Sequence, residues 1–467
     1  MQKKLLTLAV AAAMAAPAAA LAEATLYGKL NMSIDYADVQ NVGDVGDDGS
    51  GVPYDRYYAV PGATAANGRP LPAGPNTIVL DANGNPVISG GEDFKGWGIS
   101  SEGDYIPGSS RASRIGVKGS EDLGNGLKAI YQVELGLNFG DNDITGGGNG
   151  ISYRNSFVGL AGNWGTFLVG RHDTPLKIST GKLDQFSDTM ADYNGTVGFN
   201  DIRADNVIAY ISPSFSGFSF AGAMIAAGGG TDDEGLNVNS DSLAGAWSLA
   251  GIYNNGPFYA SIAYESLDSD MGMDSQTSLR GGSDCIDPAT GLPRTGLGFE
   301  CNHVDDSFDK WRIGLGLLDW NGFTLSAVYE QQEDRFDGQT WEVWQYIDTR
   351  DGSVRNVGVP NGVKKQQLWQ IQAGYAFGNN KIKAMYGSVD RDDDKVLGRT
   401  RDVVSLNNLR DDLEGDKQTW AIGFDHNFSK RTKAYVLYTA VDDDNNGIPG
   451  QNAVEWSGFS AGMVHKF

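Results

Sequence analysis

The sequence predicts an all-β protein, a sixteen-stranded antiparallel transmembrane β-barrel with short periplasmic turns and long external loops. Three observations carry that prediction. Side-chain polarity alternates with a period of two in segment after segment from Thr25 to Phe467, whereas a helix would place neighbours three and four apart on one face. The connections between these segments alternate between short and long. No apolar run of helix-spanning length follows the N-terminal one, so a crossing of hydrocarbon falls to strands, which satisfy every backbone group only in a closed barrel.

The first 22 residues read as a secretory signal peptide: Lys3 and Lys4 precede an apolar stretch that ends in Ala20-Leu21-Ala22. Pro17 inside that stretch argues against an uncleaved anchor. Residues 23–467 then form one barrel domain. The whole chain carries 36 Lys+Arg against 59 Asp+Glu, a net charge of −23, and loses two lysines with the leader. Such a balance excludes a nucleic-acid partner, which needs a basic face. It also suggests a mild preference for cations, subordinate to whatever charges line the narrowest point.

The strands are expected near 25–37, 111–120, 126–139, 153–161, 165–171, 203–212, 217–227, 242–253, 257–267, 309–319, 322–333, 366–377, 380–390, 417–428, 431–441 and 454–467. In the first, Leu26, Leu30, Met32 and Ile34 share one face, and Tyr27, Lys29, Asn31, Ser33 and Asp35 the other. In the tenth, Trp311, Ile313, Leu315 and Leu317 oppose Arg312, Gly314 and Gly316. Tight connections such as Trp320-Asn321-Gly322 and Gly378-Asn379 join strands at one end, and both chain termini fall on that side. Even strand numbers with this short-long rhythm are the pattern of outer-membrane barrels, and a soluble β-sandwich does not require it. Aromatic residues near strand ends, among them Tyr27, Tyr131, Phe157, Phe167, Tyr210, Trp247, Trp311, Tyr329, Trp369 and Trp420, are expected as two interfacial girdles.

Four stretches carry a resemblance to a known family. Leu26-Tyr27-Gly28-Lys29 opens the first strand. Ser113-Arg114-Ile115-Gly116-Val117-Lys118-Gly119 leads through Glu121-Asp122-Leu123-Gly124-Asn125 into the third, Gly165-Thr166-Phe167-Leu168-Val169-Gly170-Arg171 precedes a long loop, and the chain ends in Phe467. These resemble the general trimeric diffusion porins of Gram-negative outer membranes over essentially the whole mature chain. The resemblance implies a homotrimer in contact with outer-membrane lipid and lipopolysaccharide, recognition of the C-terminal Phe467 by the barrel assembly machinery, and passive diffusion of small hydrophilic solutes. It implies no cofactor and no enzymatic activity.

It also implies a third external loop folded into the lumen and facing a basic wall. Lys29, Arg114 and Arg154 match that wall, and the polarity phase independently puts them on the lumen face. Arg171 and Arg203 are left open between the loop base and a subunit contact. On the loop, Asp184, Asp188 and Asp192 recur every four residues, which shares a face if the stretch is helical. Carboxylates facing guanidinium groups across a gap select permeants by charge. The family's usual acidic proline-containing segment is not reproduced here.

Cys285 and Cys301, sixteen residues apart in one loop of an exported chain, are expected to form a disulfide. Zinc lacks a ligand set, since only His303 lies nearby. The run beginning Asp442-Asp443-Asp444 opens like a calcium loop but has Ala453 where a bidentate Glu is needed, so a solvated acidic loop is the simpler reading. A hydrolase needs a His beside an activated Ser, and none of the four histidines suggests such a dyad. A carbohydrate-selective barrel would have more strands and an aromatic slide, whereas inward aromatics such as Tyr259 and Tyr435 are few.

Overall fold

A computed structural model describes residues 23–42, 77–79, 92–99, 111–137, 151–226, 230–231, 237–238, 243–267, 307–333, 341–348, 353–360, 365–392, 416–443 and 455–467. The leader 1–22, Cys285, Cys301 and His303 lie outside them. One sheet of 18 ladder segments closes on itself. Two pairs of segments each form a single stave, which leaves sixteen. These are β1 (Glu23–Val42), β2 (Glu92–Ile99 and Arg114–Gly124), β3 (Leu127–Leu137), β4 (Ile151–Tyr153 and Ser156–Gly162), β5 (Gly165–Asp173), β6 (Arg203–Ile211), β7 (Phe218–Ile225) and β8 (Ala246–Asn255). The other eight are β9 (Phe258–Leu267), β10 (Phe308–Trp320), β11 (Phe323–Glu333), β12 (Lys365–Phe377), β13 (Asn380–Asp392), β14 (Lys417–Asn427), β15 (Thr432–Asp443) and β16 (Trp456–Lys466).

All sixteen expected segments are strands. The departure is in the first connection: β1 runs on to Val42, and Glu92–Ile99 continues the second stave beside it. Gly96 and Gly98 blur the alternation there, and pairing with β1 supplies what local pattern does not. Outside the barrel sheet, Thr77–Val79 pairs in parallel with Gln345–Ile347, the latter in a hairpin of Trp341–Asp348 with Ser353–Pro360.

The barrel is apolar outside and charged inside. Ile262 and Ile422 are 61% and 57% exposed, while Lys310, Arg312, Glu265 and Glu330 are fully buried. That inversion is stable when hydrocarbon bathes the outer face. Near the long-loop end, ring pairs Trp247–Tyr264, Trp311–Tyr329, Trp369–Tyr386 and Trp420–Tyr438 join alternate staves, and Tyr36–Trp97 continues the row. Register links consecutive pairs through Tyr264↔Trp311, Tyr329↔Trp369 and Tyr386↔Trp420, so the girdle follows the wall from β8 to β16 and across β1 to β2. Two residues expected in the girdles face the lumen instead. Tyr27 shares the phase of Lys29 and bonds Glu134, and Phe157 packs edge-on to His172.

Closure joins the two ends of the chain. Gly28 N–H donates to Phe467 O at 3.0 Å, and Phe467 N–H returns the bond to Gly28 O at 3.1 Å. The Phe467 ring lies over Gly28, where a Cβ would come within 2.7 Å of its Cε1 and 2.9 Å of Arg114 O, so a side chain there would have to displace the ring.

Candidate functional site: the lumen and its inserted loop

Between β5 and β6 the chain turns inward over residues 174–202. Thr174 caps α1 (Pro175–Thr180), with Pro175 in its first turn, and Asp192 caps α2 (Tyr193–Thr196). The stretch between is a series of turns, not the helix that would align Asp184, Asp188 and Asp192. Asp188 takes φ of +60°, and the other two carboxylates bond the loop's own backbone, which competes with helix formation.

Those three aspartates therefore separate. Asp184 accepts from Phe186 N at 2.9 Å and from Gln372 Nε2 at 2.8 Å. Asp192 accepts from Asn194 N at 2.9 Å and Asp188 N at 2.8 Å. Burial pushes Asp184 up to about 6, against the opposing pull of Gln372, two backbone amides and Lys383. Burial also raises Asp192 well above the carboxylate range, reinforced by the charges of Asp184 and Asp188. Asp188 alone of the three reaches the basic β1–β2 side of the wall, whereas Asp184 meets Gln372 on β12. It pairs with Lys29, its backbone O accepts from Asn31 Nδ2 at 2.7 Å, and it lies 3.9 Å from Arg114.

Lys29, Arg114 and Arg154 meet on neighbouring staves β1, β2 and β4, as their phase predicts. Glu134 of β3 sits among them, only 7% exposed. Its Oε1 accepts from Arg154 Nε at 2.7 Å, its Oε2 from the Tyr27 hydroxyl at 2.9 Å, and Arg114 lies 3.8 Å away. The alternation placed Glu134 on a polar face, but only the register Gly116↔Glu134 brings it opposite this cluster. Arg114, 26% exposed, is the most open of the three cations and has no carboxylate closer than 3.8 Å among the described residues. Toward the short turns, Lys466 is the register neighbour of Lys29, Lys118 lies 5.1 Å over the Tyr27 ring, and Lys433 pairs with Asp425 at 3.0 Å. Arg203 bonds Asp173 and Asn155 at the loop base, and Arg171 pairs with Asp205.

The other side of the lumen holds the loop. Arg312 on β10 donates to Thr180 Oγ1 at 2.8 Å and Asp201 Oδ1 at 2.5 Å, so it grips both the outgoing and the returning chain, with Glu330 as its wall partner at 2.5 Å. Lys310 reaches Asn200 O at 3.0 Å, Ser326 donates to Leu183 O at 2.7 Å, and Lys383 donates to Gln185 O at 2.7 Å. Phe186, Met190 and Ala191 bury against inward side chains of β1 and β13 to β16. Sequence reasoning named none of these anchors, because which lumen residues meet the loop depends on its path.

A closed strand barrel with an apolar girdled exterior, a charged interior and a loop across its lumen defines an outer-membrane channel. The chain belongs to the Gram-negative porin family, whose model matches residues 7–446. It is 28% identical to an outer membrane porin protein of Bordetella pertussis over 93% of both chains. It is 38% identical to the major outer membrane protein P.IB of Neisseria meningitidis serogroup B over 76% of this chain and 83% of that one. Among solved structures, an anion-selective porin from Comamonas acidovorans superposes with a TM-score of 0.51 at 20% identity, covering 96% of this chain and all of that one. The protein is thus a diffusion channel of the Gram-negative outer membrane and not an enzyme.

Proposed function

We propose that the eyelet of this porin lies where the loop tip meets the β1–β4 wall, and that its charges give the channel a preference for small hydrophilic anions. The observation that carries this is the cluster of Lys29, Arg114 and Arg154, which among the described residues has two carboxylates within 4 Å, Asp188 and Glu134, with Lys118 and Lys466 below it. Field lines concentrate where a low-dielectric wall surrounds a narrow aqueous path, so these few groups outweigh a chain total of −23 that sits largely in loops. The preference is therefore opposite in sign to the one the overall charge suggests. Asp184 and Asp192, turned into the loop, support its shape instead of lining the path.

We further read the porin as a homotrimer. The long-loop-end row of Trp–Tyr pairs does not continue across β3 to β7 among the described residues, where Val133, Val158, Leu160 and Val169 present a smooth aliphatic face suited to a neighbouring protomer. Outer-membrane lipid and lipopolysaccharide cover the girdled remainder, a leader spanning 1–22 is removed, Cys285 and Cys301 close their loop, and Phe467 is the assembly signal. Single-channel recording in a salt gradient tests the eyelet. The wild-type reversal potential should have the anionic sign, and Arg114→Ala and Asp188→Ala should move it in opposite directions. Identical potentials in all three proteins would refute the assignment.

A further inference from the structure

The inserted loop needs a bed. Between the wall side chains that hold it, the staves behind the loop carry glycines. Gly314 and Gly316 on β10, Gly374 on β12, Gly387 on β13, Gly423 on β14 and Gly458 on β16 all face the lumen, and each is covered by a side chain of the loop. A Cβ on Gly314 would come within 2.6 Å of Leu183 Cδ1, one on Gly316 within 2.7 Å of Leu183 Cδ2, one on Gly387 within 2.7 Å of Val197 Cγ2 and one on Gly423 within 3.0 Å of Phe186 Cε1. Gly374 meets Gln185 and Gly458 meets Met190 more closely still. Glycine is unfavourable in strands, so a row of them along one arc at loop height needs a compensating gain. The gain is depth: each missing side chain lets Leu183, Gln185, Phe186, Met190 or Val197 sink against the wall backbone.

We infer that this glycine track sets the calibre of the pore from behind. The loop lies between the track and the β1–β4 wall, so its distance from Arg114 and Arg154 is what remains after it has seated on the glycines. These residues touch no permeant and carry no charge. They position the loop's free edge, and they govern size exclusion separately from charge selection. Interiors packed at crystal density transmit such a change instead of absorbing it: a β-carbon added to the track displaces the loop by on the order of 1 Å toward the open lumen.

The inference rests on the reading of this loop as the eyelet, and one set of recordings separates the two. Gly458→Ala should lower single-channel conductance by tens of per cent and shift the size cut-off for neutral oligosaccharides in liposome swelling to smaller solutes, while leaving the reversal potential in a salt gradient unchanged. Gly423→Ala, with its looser contact, should do the same to a smaller degree. Met190→Ala combined with Gly458→Ala should return conductance toward wild type, since the methyl then occupies the space vacated by the thioether. Gly251→Ala, on the outer face with its nearest neighbour 3.8 Å away, is the control and should change nothing. Unchanged or higher conductance in both track variants, or failure of the Met190 rescue, overturns the inference. If the track variants lower conductance while the Arg114 and Asp188 variants leave the reversal potential fixed, the track stands and the charge assignment falls.

Discussion

The two arcs of the lumen wall are built on opposite plans. From β1 to β4 the inward positions hold long charged side chains, Lys29, Arg114, Glu134 and Arg154, that project toward the open path. From β10 to β16 they hold glycines, polar groups and apolar side chains such as Met385, Leu437 and Trp456 that bed the loop, and the charges present there, such as Lys310, Arg312 and Lys383, are spent on binding it. One arc faces the permeant, and the other faces a part of the protein. The proposed division gives selection by charge and selection by size to different residues on different strands, so that each should be alterable without the other.

The strongest challenge to that division is Arg312→Leu. It leaves Glu330 and Asp201 buried without their cation, a loss of about 3–5 kcal/mol for a broken buried pair, and frees both limbs of the loop at once. The folded barrel should survive to a lower temperature in heat-shift electrophoresis, with noisier and larger open-channel currents. A quiet channel of normal conductance would mean that the loop is held elsewhere.

Glu134→Gln probes the opposite arc and should leave the loop in place. Removing one of two carboxylates among three cations should raise anion preference without changing open-channel noise. Added noise with no shift in reversal potential would reduce Glu134 to a packing residue.

A gentler perturbation is pH. Asp184 in the folded loop holds its proton up to about 6, above the ordinary carboxylate value of 3.8, so the folded state binds more protons than the unfolded one between them. Loop docking is accordingly tightest below the ordinary value and weakens as pH rises through 6. Currents at pH 5 should be less noisy than at pH 7.5, and Asp184→Asn should erase the difference. The smallest effect is expected at the rim. Lys365 and Glu333 pair at 3.1 Å but are 38% and 43% exposed, and Lys365→Ala should cost less than about 1 kcal/mol and leave both conductance and selectivity as they were.

Much of this division was legible before any coordinates. Period-two alternation gave the lumen phase of Lys29, Arg114, Gly314 and Gly316 directly, because a strand has only two faces. What remained hidden required relations between strands. Glu134 is seen opposite its arginines only once β2 and β3 are in register, and Arg154 holds its place through a break between Tyr153 and Ser156 that the pattern reads as continuous. The loop was hardest to read. Spacing of four among Asp184, Asp188 and Asp192 implies a shared helical face, yet turns built on their own side-chain hydrogen bonds send only Asp188 to the basic wall. Type and strand-end position suggest the girdles for Tyr27 and Phe157, although the phase of Tyr27 with Lys29 already points inward.

The bond between Gly28 and Phe467 links residues from opposite ends of the chain. Contacts of such sequence separation form slowly, since loop-closure entropy is lost before they contribute anything. This one closes the end of the β1–β16 ladder, the seam without which both staves remain open edges. A chain that stops short of its last residue has every other stave available and still lacks the group that lies over Gly28.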